Sequence, residues 1–595
     1  MSTPGPPGTT GTPRREGEDD GTTTAPADLP ATAPTAPSGT AAPAAAPAPG
    51  GPTGVQGLLR SSTVMAAGTA VSRVLGLARS VVLVTAVAAV GTGADAFDVA
   101  NRIPNIIYLL IAGGVLNAVL VPQIVRASRD PDGGQAFVDR LVTLVVVGLA
   151  AVTGLSLLAA PLLVRLYAGA SGGDELLRLA TAFALWVLPQ IFFYGLYTVL
   201  GQVLNARGSF GPYMWAPVVN NVVSIAGLAV FIGLHGSADP EAGLASMTSG
   251  QVALLGGTAT AGVVAQALVL LVPLRRLGFR WRPRLGVRGV GLRSAGTVAL
   301  WTFAGILVSQ AGYVVTTQVA VYGSQGAGSP LPEDAAVPPG PAVLGLAYLL
   351  YVLPHSLVAV SVVTALFTRL SGRISSGDED GARADMSLGL RLLGVVSVLS
   401  AAGLVVLGGP VGVLLFGAGG GEDVGRTTAA MALGLPFYSA LYLVQRGFYA
   451  REDGKRPFVG VAVAAATSAV LTVVVALTLP ADLVVVGLGL SQSVGNVAGL
   501  VTALVLLRRR TGPFDGPRVL RLHVRVLLAA VVAGLAGWGA SEGVQALLGG
   551  ITGRTSALAV VLVAGAVVVV AYVLMLRATR VRELDDVLAQ VRRRG

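Results

Sequence analysis

Apolar residues form long runs along most of this chain, from residue 63 to residue 577. A run of about twenty apolar residues is long enough to cross the hydrocarbon core of a bilayer as a helix. The run at 555–576 does not alternate apolar with polar residues, as the strand of a membrane barrel would. Because lipid offers the backbone no hydrogen-bond partner, such a segment must be a helix. The pattern therefore predicts an all-α integral membrane protein.

The apolar runs predict about fourteen transmembrane helices. Their approximate bounds are 63–90, 103–125, 141–164, 179–204, 213–234, 252–274, 295–322, 342–368, 388–416, 428–449, 457–480, 483–507, 524–547 and 555–577. Residues 1–57 are rich in Pro, Ala, Thr and Gly, which predicts a disordered tail. Residues 578–595 carry apolar residues at helical spacing, which predicts a short amphipathic helix at the inner membrane surface.

The composition supports a membrane protein and excludes several other classes. Only 12% of the residues are charged, whereas soluble domains contain about 25%. The net charge of +11 arises from arginines in short loops between spans, so we expect no nucleic-acid partner. Cysteine is absent, which excludes disulfides, thiolate metal sites and cysteine nucleophiles. Three scattered histidines and the lack of a catalytic arrangement predict neither a metal site nor an enzyme.

The arginines alternate between successive loops. The arginine-rich loops lie at 126–140, 207, 275–293, 369–391, 446–456 and 508–525. The loops between them are poor in positive charge, and those at 235–250 and 323–341 have none. The positive-inside rule places the rich loops in the cytoplasm. The alternation therefore predicts an even number of spans in the cytoplasmic membrane, with both termini in the cytoplasm.

A repeat relates the fourth and fifth spans to the tenth and eleventh. The first copy contains Leu188-Pro189, Tyr197, Ala206-Arg207 and Pro212, and the second contains Leu435-Pro436, Tyr442, Ala450-Arg451 and Pro457. An offset of six helices preserves orientation, which predicts parallel repeats, although chance similarity between Pro-rich turns is an alternative. We expect an N-lobe at 58–290, a C-lobe at 291–510, and two additional helices at 511–577.

Two arginines lie deep within the first predicted span. Arg73 and Arg79 flank its midpoint, where a charged side chain costs roughly 2.5–3.5 kcal/mol on insertion scales. They lie about 9 Å apart along a helix axis and about 120° around it. Because the spans hold no interior Asp or Glu to pair with them, we interpret them as a site for an anionic, phosphate-bearing substrate. The alternative is that both side chains reach an interface or bond backbone carbonyls.

More polar residues surround the start of the second span. Asp95, Asp98, Arg102 and Asn105 fall in the first external connection and the first turn of that span. We expect Asp95 and Asp98 to gate the outer mouth of a central cavity by pairing with Arg102. The alternative is an ordinary loop salt bridge, worth about 0–1 kcal/mol.

Four amide side chains interrupt other apolar spans. They are Asn220, Asn221, Gln310 and Gln318. These residues are candidates for lining the cavity, and hydrogen bonding between helices is the alternative role.

Two regions of the sequence resemble a known family. Residues 72–123 contain S-R-V-L-G-L-A-R, then G-T-G-A-D-A-F-D-V-A-N-R-I-P-N, then L-N-A-V-L-V-P-Q. Residues 188–221 contain L-P, N-A-R-G, P-Y and A-P-V-V-N-N. Both regions resemble the MurJ/MviN lipid II flippases, which belong to the MOP exporter superfamily. The Pro/Ala-rich tail and the scarcity of lysine resemble the actinobacterial branch of that family.

The resemblance implies a flippase that moves a lipid-linked peptidoglycan precursor, lipid II, from the inner to the outer leaflet by alternating access. It implies two pseudo-symmetric lobes of the MOP fold around a central cavity. It also implies that Arg73 and Arg79 bind the substrate in that cavity. We add Asn105 and the neighbouring Arg102 to the candidate substrate-binding residues. Besides lipid II and membrane lipids, proteins of cell-wall synthesis or division are candidate partners.

The sequence departs from the family pattern at several points. Tyr108 and Gly113 stand where many relatives carry basic and acidic residues, and A-Y-L-L-Y-V-L-P at 347–354 lacks the charges that many relatives place before the proline. Carboxylates of a sodium site are not evident. No cofactor is expected, and coupling to the membrane potential or to a monovalent cation stays open. Alternative functions are a flippase for another lipid-linked glycan and a scaffold that transports nothing.

Overall fold

Helices are the only regular elements in the part of the chain that the computed structural model describes, namely residues 55–111, 135–239, 246–284, 297–329, 336–581 and 583. In chain order they are α1 Val55–Val87, α2 Thr92–Ile111, α3 Gln135–Leu158, α4 Ala160–Ala168, α5 Asp174–Val187, α6 Gln190–Ala206, α7 Gly211–His235, α8 Ser249–Leu268, α9 Leu271–Arg276, α10 Thr297–Ser324, α11 Pro341–Pro354, α12 Val360–Ser375, α13 Glu379–Phe416, α14 Ala418–Ala432, α15 Leu435–Tyr449, α16 Lys455–Thr478, α17 Ala481–Thr511, α18 Gly516–Leu548 and α19 Arg554–Ala578. Most of the predicted tail at 1–57 and most of the predicted amphipathic helix at 578–595 lie outside the described residues.

The helices confirm the predicted membrane fold. Twelve helical segments among the described residues are long and apolar enough to cross a membrane, and α14 with α15, bent by 51°, form a thirteenth if the pair is one span. These segments coincide with all the predicted spans except the second. The second, predicted at 103–125, is described only as far as Ile111.

Helix α2 begins earlier than the hydropathy pattern predicts. Its first residue is Thr92, so Asp95 and Asp98 lie in the helix and not in a loop before it. The prediction was wrong here because the mixed sequence T-G-A-D-A-F-D-V-A-N-R interrupts the apolar run. A helix with one polar face needs no such run.

Prolines break the longer spans at related places. Pro189 separates α5 from α6, and Pro436 lies in the first turn of α15 after the break that follows α14. A proline cannot donate the backbone hydrogen bond that a helix interior requires. Between α11 and α12 the chain forms one π-helical turn, His355–Ala359, directly after Pro354. Such turns are often found at functional sites.

The packing of the helices reproduces the sequence repeat. Five helix contacts of the N-lobe have a counterpart in the C-lobe. The contact α1–α7 corresponds to α10–α16, α2–α5 to α11–α14, α3–α6 to α13–α15, α5–α8 to α14–α17, and α7–α8 to α16–α17. The two halves are therefore built on one plan, as the repeat predicts. Helices α18 and α19 pack on each other and on α13 of the second half.

The repeated Ala-Arg turns perform the same structural task in both halves. Arg207 Nη2 donates to Oε1 of Gln135, the first residue of α3, at 3.0 Å. Arg451 Nη2 donates to Oε2 of Glu379, the first residue of α13, at 2.5 Å. Each arginine thus fixes the start of the equivalent helix, but only the second pair carries opposite charges. Chance similarity does not account for this agreement.

Arg446 falls where the predicted span at 428–449 overlaps the predicted loop at 446–456, and the structure agrees with the span. This residue lies inside α15 and is only 5% exposed. Its guanidinium lies over the Tyr442 ring at 4.8 Å, and its Nη2 donates to the Tyr442 hydroxyl at 2.8 Å. Contact with an aromatic ring stabilises a charged side chain inside the protein. Arg446 can therefore lie within a helix, although the count of arginines between spans places it in a loop.

Candidate functional site

Two cavities lie along the junction of the two lobes. The N-lobe cavity has about 860 Å³ of empty space between α1, α2, α7, α8 and α11. Its walls include Arg79, Ser80, Asp98, Asn101, Ser224 and Ala342. The C-lobe cavity has about 1030 Å³, mainly between α2, α10, α11, α15, α16 and α17. Its walls include Arg102, Tyr313, Tyr348, Tyr438, Tyr442 and Gln492.

Arg79 lies on the wall of the N-lobe cavity. Its side chain is half-buried and lies near Tyr194 of α6. Helix α1 is held against α7, where the Asn221 amide donates to the backbone oxygen of Ser72 at 2.9 Å. Arg79 therefore presents its charge to a cavity whose other polar groups are hydroxyls, an amide and a carboxylate.

Arg73 occupies a different place from Arg79. It is half-buried and is not among the residues that line either cavity. Its positive charge lies near the ring of His355, the first residue of the π-helical turn. His355 is buried, and its Nδ1 lies 3.0 Å from Ser439 Oγ. The two arginines of α1 therefore lie in different surroundings. Arg79 lies at the N-lobe cavity, and Arg73 lies near the break between α11 and α12.

A set of contacts joins α2 to the start of α11, and we call it the α2–α11 latch. Its members are Asp95, Asp98, Arg102, Pro341 and Ala342. Asp95 Oδ1 accepts from the backbone N–H of Ala342 at 3.0 Å. Arg102 pairs with Asp98, its Nη2 donates to the Pro341 carbonyl at 3.5 Å, and its guanidinium lies 5.2 Å from the centre of the Tyr313 ring.

Glycines make room for the latch. A Cβ at Gly340 would lie 2.1 Å from Asp95 Oδ2, and a Cβ at Gly345 would lie 2.1 Å from Arg102 Nη2. Any side chain at either position would displace a latch residue. The close approach of α2 and α11 therefore depends on these two glycines.

The latch differs from an ordinary loop salt bridge. The Arg102 and Asp98 side chains are 6% and 15% exposed, and both lie in a helix. Asp98 lines the N-lobe cavity and Arg102 lines the C-lobe cavity, so the pair stands between the two. Asn105 lies about one turn further along α2 and is half-buried. Whether the latch opens as a gate stays a prediction.

The four candidate amides are bonded between helices or buried away from the cavities. Asn220 Nδ2 donates to Gln266 Oε1 at 2.8 Å, and Asn221 donates to α1. Gln318 Nε2 donates to a backbone carbonyl of α4 at 2.7 Å, and Gln310 is buried. None of the four is among the residues that line the two cavities. Interhelical bonding, the alternative role, describes the three bonded amides.

The residues that line the C-lobe cavity were not predicted from the sequence. Tyr438, Tyr442 and Gln445 line it from α15 and follow one another at intervals of four and three residues. That spacing places them on one face of a helix. The sequence signal for this cavity was the presence of polar residues on one face of the span at 428–449. Only the packing of the lobe shows that they share a cavity with Tyr348 and Gln492.

Comparison with known proteins gives a consistent result. A family model described as "Lipid II flippase MurJ" matches residues 85–552. A "Probable lipid II flippase MurJ" of Vibrio cholerae is 29% identical over 418 residues, covering 67% of this chain and 74% of the relative. A "Lipid II flippase MurJ" of Burkholderia cenocepacia is 29% identical over 498 residues, covering 81% and 90%. The family match begins after Arg73 and Arg79.

Solved structures share the fold. "Lipid II flippase MurJ, inward closed conformation" superposes with a TM-score of 0.65 at 18% identity, covering 87% of this chain and 99% of that one. An inward-facing multidrug resistance MATE family transporter of the MOP superfamily superposes with a TM-score of 0.60 at 14% identity, covering 73% and 94%. At these identities the likeness establishes the architecture alone.

Proposed function

This chain belongs to the MurJ family of lipid II flippases, and from that premise we propose that it moves lipid II from the inner to the outer leaflet of the cytoplasmic membrane by alternating access. The observation that carries the proposal is Arg79 on the wall of a cavity at the junction of two repeated lobes. The arginine distribution supports placing both termini in the cytoplasm.

Arg79 binds the pyrophosphate of the substrate in this proposal. A guanidinium offers paired donors that match phosphate oxygens, and hydrogen bonds to charged groups contribute about 1.5–3 kcal/mol. Ser80 and Asn101, on the same cavity wall, supply further polar contacts. Arg73 is the second cation, placed beside the π-helical turn to receive the phosphate when the lobes move. The polyprenyl tail stays in lipid.

The α2–α11 latch closes one end of the cavity in this scheme. The alternation of loop arginines supports an external position for that end, because α2 follows the first crossing from the cytoplasm. Breaking the contacts of Asp95 and Arg102 with α11 separates the lobes there and opens the cavity outward. The latch then re-forms after the substrate leaves, and the cycle starts again.

The membrane potential supplies a driving force. Moving one net negative charge outward is favoured by about 2.3 kcal/mol per 100 mV when the inside is negative. Transport of a pyrophosphate-linked headgroup therefore needs no proton relay in the spans. We propose this coupling over coupling to a monovalent cation. The expected result is a transport rate that follows the sign of an imposed potential and does not depend on which cation sets that potential.

Reconstitution tests the function. Purified protein is placed in vesicles that contain lipid II, and the appearance of lipid II in the opposite leaflet is followed with a membrane-impermeant reagent. We expect the protein to accelerate this step far above protein-free vesicles. No acceleration would contradict the proposal, and equal acceleration of a lipid-linked glycan without peptidoglycan sugars would assign a broader substrate class.

A further inference from the structure

The C-lobe cavity has walls suited to a neutral, polar ligand. Among its described lining residues there is no Asp or Glu. Its one charged residue, Arg102, is paired with Asp98 in the α2–α11 latch. A cation would find no counter-charge on these walls, and an anion would have to compete with a carboxylate already bound to the arginine.

Tyrosine rings form one side of the cavity. Tyr348, Tyr438 and Tyr442 line it, and other rings support them from behind. The Tyr438 ring lies 5.9 Å from that of Tyr351 and 4.5 Å from that of His355, measured between ring centres. Rings fixed in this way present broad apolar faces with a hydroxyl at the edge, which suits a ligand that combines C–H surfaces with polar groups.

Two amides on the wall make no hydrogen bond to a described residue of the chain. Gln445 is 7% exposed and Gln492 is half-buried, and both line the cavity. Among the described residues neither side chain makes a hydrogen bond, whereas the neighbouring Asn496 amide donates to the Tyr351 hydroxyl at 3.2 Å. Because these amides line the cavity and the described residues do not occupy their hydrogen-bonding groups, they can serve a ligand with its own donors and acceptors.

Aromatic faces together with available amides are the recognition chemistry of sugars. We propose that the C-lobe cavity binds a sugar unit of the lipid-linked substrate while Arg79 holds its pyrophosphate. The inference rests on the proposed function and adds a second subsite to it. Since Arg102 lines this cavity, a sugar bound there lies against the α2–α11 latch.

The test compares two ligands that share a phosphate and a tail. Full-length purified protein is titrated with lipid II and with the polyprenyl pyrophosphate of the same chain length, and affinities are measured by native mass spectrometry. We expect wild type to bind lipid II at least about tenfold more tightly. The double variant Gln445→Leu/Gln492→Leu should lose this tenfold preference, which corresponds to about 1.4 kcal/mol, and keep its affinity for polyprenyl pyrophosphate.

Gln545→Leu is the matched control. Gln545 lies in α18, outside both lobes, and the exchange removes the same amide. This variant should keep the full preference for lipid II. If the double variant fails to fold, Gln492→Leu alone, at the less buried position, should still reduce the preference.

The outcomes separate the two proposals. A wild-type protein that binds both lipids equally, or a folded double variant with an unchanged preference, would overturn the sugar subsite and leave the flippase function standing. A wild-type protein that binds neither lipid would overturn the proposed function and the subsite with it.

Discussion

Helix α1 of the N-lobe and helix α10 of the C-lobe occupy equivalent places, since α1 packs on α7 as α10 packs on α16. Their side chains nevertheless differ in kind. Helix α1 carries Arg73 and Arg79 in its second half, whereas α10 has no charged residue along its whole length. The packing of this helix pair is therefore the same in both lobes, but of α1 and α10 only the N-lobe helix carries charged residues.

The side chains that line the two cavities also differ in kind. Arg79 and short hydroxyl side chains stand on the N-lobe wall, whereas tyrosines and amides such as Gln492 stand on the C-lobe wall. One fold duplicated in the chain thus offers a cavity with Arg79 beside a cavity rich in tyrosine rings, and the Arg102–Asp98 pair stands between them. A lipid-linked headgroup has the matching asymmetry, with a charged pyrophosphate next to neutral sugars.

The largest expected effect separates the two arginines of α1. Arg79→Ala should weaken binding of polyprenyl pyrophosphate by at least about tenfold, because it removes charge-assisted hydrogen bonds at the cavity wall. Arg73→Ala should weaken it less, since Arg73 lies beside His355 and not on that wall. Native mass spectrometry of the two variants measures both affinities.

A surface arginine serves as the control for this comparison. Arg178 has a 62% exposed side chain paired with Glu175, and Arg178→Ala should leave the affinity unchanged. A larger loss for Arg73→Ala than for Arg79→Ala would place the phosphate at the π-helical turn instead.

A smaller effect concerns the contact between the lobes. Asp98→Ala leaves Arg102 buried without its carboxylate, which weakens the closed latch. The latch should therefore open more often. Because the chain has no cysteine, a single Ser80→Cys reporter in the N-lobe cavity should react faster with an impermeant maleimide added outside.

The exposed pair of Arg178 and Glu175 again provides the control. Glu175→Ala in the same reporter background should not change the labelling rate, because both side chains of that pair are largely in solvent. Unchanged labelling in Asp98→Ala would mean that this pair does not hold the outer end closed.

The smallest effect distinguishes the repeated Ala-Arg turns. Arg451→Ala removes a charged pair with Glu379, whereas Arg207→Ala removes a bond to the neutral Gln135. Glu379 is half-exposed, which limits the difference to about 1 kcal/mol. Thermal melting in detergent should show the larger loss for Arg451→Ala, and equal losses would mean that the charge adds nothing.

Hydropathy and the repeat predicted most of the architecture, because long apolar runs and prolines act locally. Pro189 and Pro436 mark related breaks in the chain, and Arg79 was found because a charge is rare in an apolar span. The start of α2 at Thr92 was missed, since its polar latch residues interrupt the apolar pattern.

The C-lobe cavity could not be predicted in the same way. Its wall is assembled from several helices, and Tyr438 and Gln492 meet only through their packing. Arg446 was assigned to a loop because its charge is obvious in the sequence, whereas the Tyr442 ring that covers it is a tertiary contact. Most helices were therefore predictable from local patterns, whereas the side chains that meet where several helices join were not.

The central claim is that the arginines of α1 carry the pyrophosphate across the membrane. Its most direct test is the rate of lipid II translocation in vesicles by the double variant Arg73→Ala/Arg79→Ala, compared with wild type and Arg178→Ala. The account predicts that the double variant falls to the protein-free rate while Arg178→Ala matches wild type. Translocation by the folded double variant at the wild-type rate would contradict it.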